Sequence, residues 1–212
     1  MFVDSVASLR LAAGQSPIFQ AGQTGPVWRV IQGVVRLDRQ GGPVRLPVQL
    51  ALPGDLIGVE ALCDQPYQFS AEPVTDCELA RVAPVAGDAP LQRDALLREV
   101  LLQQQRRCHD MAALHTGSVR QRLAHLLSLL GLPWQGAQGM ASVQADAVRQ
   151  ALPTLRELAE LVDAKTETVC RTLAQLLPPR SRKSGPARKT AAAHPDHNPA
   201  LAWAPQGLAL GL

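Results

Sequence analysis

The sequence predicts an α+β protein: an N-terminal β-roll of short strands, one long helix, and a C-terminal pair of short helices joined by a tight turn. Three observations carry this reading. Between about Pro17 and Val85, β-forming residues are punctuated by turn residues at the roughly 8–12-residue spacing of all-β architectures. From Asp88 to Thr116 there is no proline after Pro90 and no glycine until Gly117, so the stretch reads as one continuous helix. In the stretch from Pro153 to Leu177, two helical hydrophobic periods are separated only by Asp163 and Ala164.

Residues 1–87 form the β-roll in this reading. Trp28, Val30, Val34 and Val35 are strand formers, and Gly33, Gly41-Gly42 and Pro53-Gly54-Asp55 supply turns. The segment GVEALCDQ reads as a short helix, and Cys77 to Val82 as a further strand.

Residues 88–116 form the long helix. Two apolar seams run along it, one through Leu97, Leu101, Gln104, Cys108, Met111 and His115, the other through Leu97, Val100, Gln104, Arg107, Met111 and Leu114. Both share Leu97, Gln104 and Met111, as expected of a helix that packs on its own β domain and on a second copy of the chain. The residues alone leave open which seam does which.

Residues 117–177 follow as a helical domain. Val119, Leu123, Leu126, Leu127 and Leu130 mark an amphipathic helix stopped by Gly131 and Pro133, with a loop expected over Leu132–Gly139. Ala147–Leu152 reads as a short extended piece. Residues 178–212, rich in proline, alanine, glycine and basic side chains, are expected to be disordered.

Composition narrows the function classes. With 212 residues, 46% of them hydrophobic, the chain can bury substantial cores, whereas 3% aromatic residues leave no broad platform for stacking single-stranded nucleic acid. The formal charge of +3 says little, because much of the basicity sits in Arg180, Arg182, Lys183, Arg188 and Lys189. Cys63, Cys77, Cys108 and Cys170 form no CxxC pair and follow no charged-then-apolar leader, so a cytoplasmic protein with reduced thiols is expected. No apolar run approaches the roughly 20 residues that span a bilayer. No metal-spaced cluster, nucleophile motif or phosphate-cradling glycine loop suggests an enzyme.

The chemistry concentrates in the last helix pair. Thr154 and Glu157 form a T-x-x-E capping box, which satisfies the first orphan amides of a helix. Leu155, Leu158, Ala159 and Val162 give that helix a buried face. In the next helix Val169, Leu173 and Leu176 point inward, which leaves Glu167, Cys170 and Arg171 together outside near its N-terminus. A second helix that presents N-terminal side chains in this way is what a helix-turn-helix requires. An arginine there can donate twice to guanine, and a glutamate can accept from cytosine, each good contact being worth about 1–3 kcal/mol of discrimination. A plain αα-hairpin with a solvated charged face has the same spacing.

With these segments in view, residues 15 to 177 resemble the CRP/FNR family of bacterial transcription regulators. The resemblance lies in IFQAGQTGPVWRVIQGVVRL, in LPGDLIGVEAL, in RQRLAHLLSLL, and in LPTLRELAELVDAKTETVCRTLAQL, which is similar to the family's helix-turn-helix. It implies a cyclic-nucleotide-binding-like β-roll acting as effector domain, a dimerisation helix and a winged-helix-like reading head. Its implied partners are double-stranded DNA, a second copy of the chain and RNA polymerase. The recognition helix, residues 165–176, aligns its E-x-x-S-R motif with Glu167, Cys170 and Arg171. Lys165, Thr166 and Thr168 stand around them, and Thr166 precedes the glutamate as in an FNR-type reader of a TTGAT-like half-site.

Departures from the family pattern bear on its cofactors. The cyclic-nucleotide cassette would fall on Gly58, Val59, Glu60, Phe69 and Ser70, where Val59 replaces the ribose-binding glutamate and Phe69 the phosphate-binding arginine. A buried phosphate would go uncompensated, so no cyclic nucleotide is expected. No cysteine precedes Cys63, which speaks against an iron-sulfur cluster, and His109, His115 and His125 are isolated, which speaks against haem. Pro178-Pro179 ends the recognition helix where the family continues into a two-stranded wing, so the wing is expected to be missing or atypical. Cys170 replaces the family's serine as a small side chain able to pack on a thymine methyl, or as a redox-sensitive thiol beside Arg171.

Overall fold

A computed structural model describes residues 8–41, 44–82, 89–132 and 142–177, all within one compact unit. Among the described residues seven strands form two antiparallel sheets. The first takes β1 (Ser8–Leu11), β7 (Cys77–Arg81), β2 (Trp28–Gln32) and β5 (Leu56–Ile57) in that spatial order; the second takes β4 (Val44–Ala51), β3 (Val35–Gly41) and β6 (Ser70–Pro73). The sheets enclose Phe19, Val30, Val35, Ala51, Ile57, Tyr67, Ala71 and Leu79, so the alternating Val, Leu and Ile positions of the sequence do turn inward. β1 starts before the expected β region and pairs with β7 from Ser8↔Ala80 to Leu11↔Cys77. GVEALCDQ contains a 3-10 helix, Val59–Cys63.

The turn Leu52-Pro53-Gly54-Asp55 is closed by two hydrogen bonds between its ends. Asp55 N–H donates to the Leu52 carbonyl at 2.9 Å, and the Asp55 carboxylate accepts from Leu52 N–H at 2.8 Å. The same carboxylate, 3% exposed, then accepts from Arg107 Nε at 2.6 Å. A turn residue thus doubles as the dock for the long helix.

That helix, α1 (Ala89–His115), covers 27 residues. Its fully buried side chains are Gln103 and Leu114, with Arg107 and Met111 partly buried between them. Gln103 completes the edge of β5: its Oε1 accepts from Leu56 N–H at 2.7 Å, and its Nε2 donates to the Leu56 carbonyl at 2.8 Å. Arg29 on β2 adds a two-pronged pair to Glu99 at 2.5 and 3.0 Å. That hydrogen bond, helped by the charge of Arg29, holds the Glu99 carboxyl below its ordinary range against the opposing effect of burial.

The helical half comprises α2 (Val119–Leu129), α3 (Ser142–Ala151), α4 (Leu155–Leu161) and α5 (Thr166–Leu176). α2 begins with a capping box between Ser118 and Gln121. Leu114, Leu123, Leu126, Leu127, Leu158, Leu161, Val169 and Leu176 form its core, and Val34, Leu50 and Val74 of the β-roll join the same cluster.

α3 corrects the expectation of an extended piece at Ala147–Leu152. The residues from Ser142 to Ala151 are helical, with Ala145 and Val148 buried one turn apart. An isolated strand would need a neighbour for its backbone groups, and among the described residues no strand follows β7. A helix bonds internally instead. The expected loop at 132–139 and the tail at 178–212 lie, apart from Leu132, outside the described residues.

Candidate nucleic-acid interface

The helix pair α4–α5 forms as its hydrophobic spacing predicts. Thr154 Oγ1 accepts from Glu157 N–H at 3.3 Å, and a Glu157 carboxylate oxygen accepts from Thr154 N–H at 2.9 Å, the two halves of the capping box. α4 buries Leu158, Ala159 and Leu161, and Val162 at its end is buried too. Leu155 departs from the expected face and is 40% exposed, because in the first turn it lies at the rim of a cavity of about 580 Å³ shared with Leu152, Cys170, Leu173 and Leu177.

The turn between the helices is short and held from outside. Asp163 adopts φ 45°, and Arg122 of α2 donates to the carbonyls of Val162 at 2.6 Å and Asp163 at 3.1 Å. Those carbonyls end α4 and have no partner within it, so a guanidinium is well suited to cap them. The arginine fixes the angle at which α5 leaves the turn, a role that hydrophobic spacing could not show.

On α5, Val169, Thr172, Leu173 and Leu176 are buried, while Lys165, Thr166, Glu167, Cys170 and Arg171 are exposed and Thr168 is half-buried. Thr172 hydroxyl donates to the Thr168 carbonyl at 2.7 Å, which keeps both polar groups inside the helix. Neither Glu167 nor Arg171 makes an ion pair among the described residues. The N-terminal half of the helix therefore presents a donor, an acceptor and a small thiol to solvent, all on a helix anchored by its opposite face.

The chain is 30% identical over 156 residues to the transcriptional regulator LdrP of Thermus thermophilus, covering 70% of this chain and 78% of LdrP. The chain belongs to the CRP/FNR family of transcription regulators. As a member of that family it is a DNA-binding regulator. Two crystal structures from Thermus thermophilus agree. TTHB099, a CRP-family transcriptional regulator, superimposes with a TM-score of 0.56 at 27% identity over 79% of this chain and 83% of that one. TTHA1359, of the CRP/FNR family, does so with 0.50 at 26% over 78% and 83%. No family model matches the chain.

Within this CRP/FNR chain the residues at the cyclic-nucleotide cassette do not fit that ligand. Gly58 precedes the 3-10 helix, which Val59 and Glu60 begin, and Phe69 precedes β6, which Ser70 begins. Tyr67 packs between these two segments. It is 3% exposed, stacks on Phe19 at 3.9 Å between ring centroids, and donates its hydroxyl to the Pro26 carbonyl at 2.7 Å. Two glycines make the room: a Cβ on Gly25 would lie 2.3 Å from the Tyr67 hydroxyl oxygen, and one on Gly58 would lie 2.6 Å from its ring. Glu60 accepts from Gln68 N–H at 3.0 Å, and Ser70 from Ala21 N–H at 3.1 Å, so both polar side chains are engaged by the backbone. These segments enclose an aromatic side chain, and none of the five cassette residues is a cation that would hold a phosphate. Tyr67 lies outside the five cassette positions, and its only local sign of burial is the alternation with Phe69 in QPYQFS.

His109 and His115 are exposed on α1, and His125 on α2 faces Asp110 at 3.5 Å. Among the described residues no three His, Cys, Asp or Glu side chains form a metal-ligating group. No helix there is long and apolar enough to cross a membrane.

Proposed function

We propose that this regulator acts as a homodimer that reads a palindromic, TGA-containing site through α5, under the control of a signal received at the β-roll. The observation that carries the reading is the division of α5 into a buried face of Val169, Leu173 and Leu176 and an exposed N-terminal face of Glu167, Cys170 and Arg171. Arg171 is the guanine reader and Glu167 the cytosine acceptor, with Cys170 against a thymine methyl and Lys165, Thr166 and Thr168 on the flanking backbone.

Dimerisation is supported by the way α1 divides its two seams. The seam through Val100, Gln104, Arg107, Met111 and Leu114 packs on its own chain, whereas Leu97, Leu101 and Cys108 stay exposed, Leu101 by 62%. A second α1 laid along the exposed seam would cover these side chains and place two recognition helices roughly 34–36 Å apart, one turn of B-DNA. In this reading the domains are residues 1–87, 88–116 and 117–177, with RNA polymerase as the downstream partner.

A fluorescence-anisotropy titration tests this. An inverted TTGAT repeat is expected to bind at least tenfold more tightly than a scrambled duplex, and Leu101→Glu is expected to weaken both dimer and operator binding by at least tenfold, about 1.4 kcal/mol. Equal binding of the two duplexes would favour the other reading, a ligand or interaction module with weakened DNA binding, motivated by Pro178-Pro179 standing where the family continues into its wing.

A further inference from the structure

Tyr67 is 3% exposed and occupies the space between the two cassette segments, and an open cavity lies beside it. We propose that the cavity enclosed by the start of β2, the end of β7, the 3-10 helix and α1 binds a small amphipathic carboxylate and so changes operator affinity, an inference that rests on reading the chain as a signal-controlled regulator. The cavity has a volume of about 360 Å³, at the lower end of the roughly 300–1,000 Å³ typical of small-ligand sites.

Its lining defines the chemistry. Arg81 reaches it from β7 and Arg93 from α1, while Leu62 and Leu96 give it apolar walls. Arg81 makes no ion pair among the described residues. Arg93 has only Asp64, at the long distance of 3.9 Å, and that carboxylate is 90% exposed. A guanidinium offers paired N–H donors that match the two oxygens of a carboxylate, and two of them here favour a negatively charged head group. The leucines favour an apolar body behind that head. Inorganic phosphate would leave those walls unused and would meet Asp64 with more negative charge than a carboxylate carries.

The position gives occupancy a consequence. Gly25 and Pro26 line the cavity, and the Pro26 carbonyl is the acceptor of the Tyr67 hydroxyl. Arg93 and Leu96 belong to the first turns of α1. A bound carboxylate therefore bridges the roll and the long helix, and it favours whichever docking of that helix grips it better.

The test begins with the melting of the free, full-length protein, which does not depend on DNA. Straight-chain monocarboxylates from acetate to decanoate, with octanol, octylamine and phosphate as controls, are titrated into the protein and into the Arg81→Gln/Arg93→Gln variant. A carboxylate of intermediate length is expected to raise Tm by about 3 °C at tenfold over its Kd, with no shift from the controls and none in the variant. Absence of a shift with every chain length, an equal shift from octanol or phosphate, or an undiminished shift in the variant overturns the site. The active carboxylate is then added to an operator titration, where a change of threefold or more is expected. Binding without any change in operator affinity overturns the effector role, and failure of the protein to bind any operator is a failure of the regulator reading that leaves the melting result standing.

Discussion

Arg36 of β3 donates to Glu160 of α4 at 3.4 Å, joining the second sheet of the roll to the first helix of the reading head. The guanidinium also donates to Asp38 at 2.9 Å and to Glu72 at 3.2 Å, and its side chain is only 7% exposed. A buried cation among carboxylates is weak evidence for net stability, since desolvation offsets much of the attraction. Its geometric consequence is firmer: one side chain fixes how α4 lies on the sheet, with Val34 and Val74 packing into the helical core alongside.

This junction predicts that Glu160→Gln weakens operator binding without altering which bases are preferred. The exposed face of α5 is untouched, but the head is held less firmly, and a loss of about 0.5–2 kcal/mol is expected. Hydrogen exchange of the α4 amides should rise in the same variant. A changed base preference would show that Glu160 acts on the reading face rather than on its support.

The bonds of Gln103 to both backbone groups of Leu56 predict a large stability effect from a volume-conserving change. Gln103→Leu leaves a buried N–H and a buried carbonyl without partners, each costing about 1–3 kcal/mol. Chemical denaturation should show a loss of at least about 2 kcal/mol. A loss below about 0.5 kcal/mol would mean that water or a shifted strand replaces the amide.

The Arg29–Glu99 pair predicts a pH dependence with a defined sign. Glu99 titrates lower in the folded protein than its ordinary value because Arg29 hydrogen-bonds the carboxylate. Its contribution is therefore present above the ordinary glutamate value of about 4.3 and is lost as the pH falls through the depressed folded value. The melting difference between the wild type and Glu99→Gln should be open at pH 7 and close as the pH is lowered past about 4. A difference independent of pH would remove the carboxylate from the account.

Much of this architecture is legible in local sequence. The T-x-x-E box at Thr154, the inward spacing of Val169, Leu173 and Leu176, and the unbroken run from Ala89 to His115 are short-range signals that the structure shows as written. What escaped is mostly long-range. Arg36 and Glu160 are 124 positions apart, and Gln103 and Leu56 are 47 apart, so neither pairing leaves a periodic trace. Residues 147–151 are helical and not extended, because a strand needs a neighbouring edge for its backbone groups. The spacing of Ala145 and Val148, three residues apart, was the available sign of a helix.

The most direct test is an operator selection from a random duplex library, run in parallel on the wild-type chain and Arg171→Ala. The account predicts an enriched inverted repeat with half-site centres about one helical turn apart. In Arg171→Ala, preference should relax at one base position per half-site and binding should weaken by about 1–3 kcal/mol. Neutralising Arg180, Arg182 and Lys183 together should instead weaken all sequences alike and flatten the salt dependence. Enrichment of no palindrome, or an unchanged base preference in Arg171→Ala, would contradict the assignment of α5 as the reader.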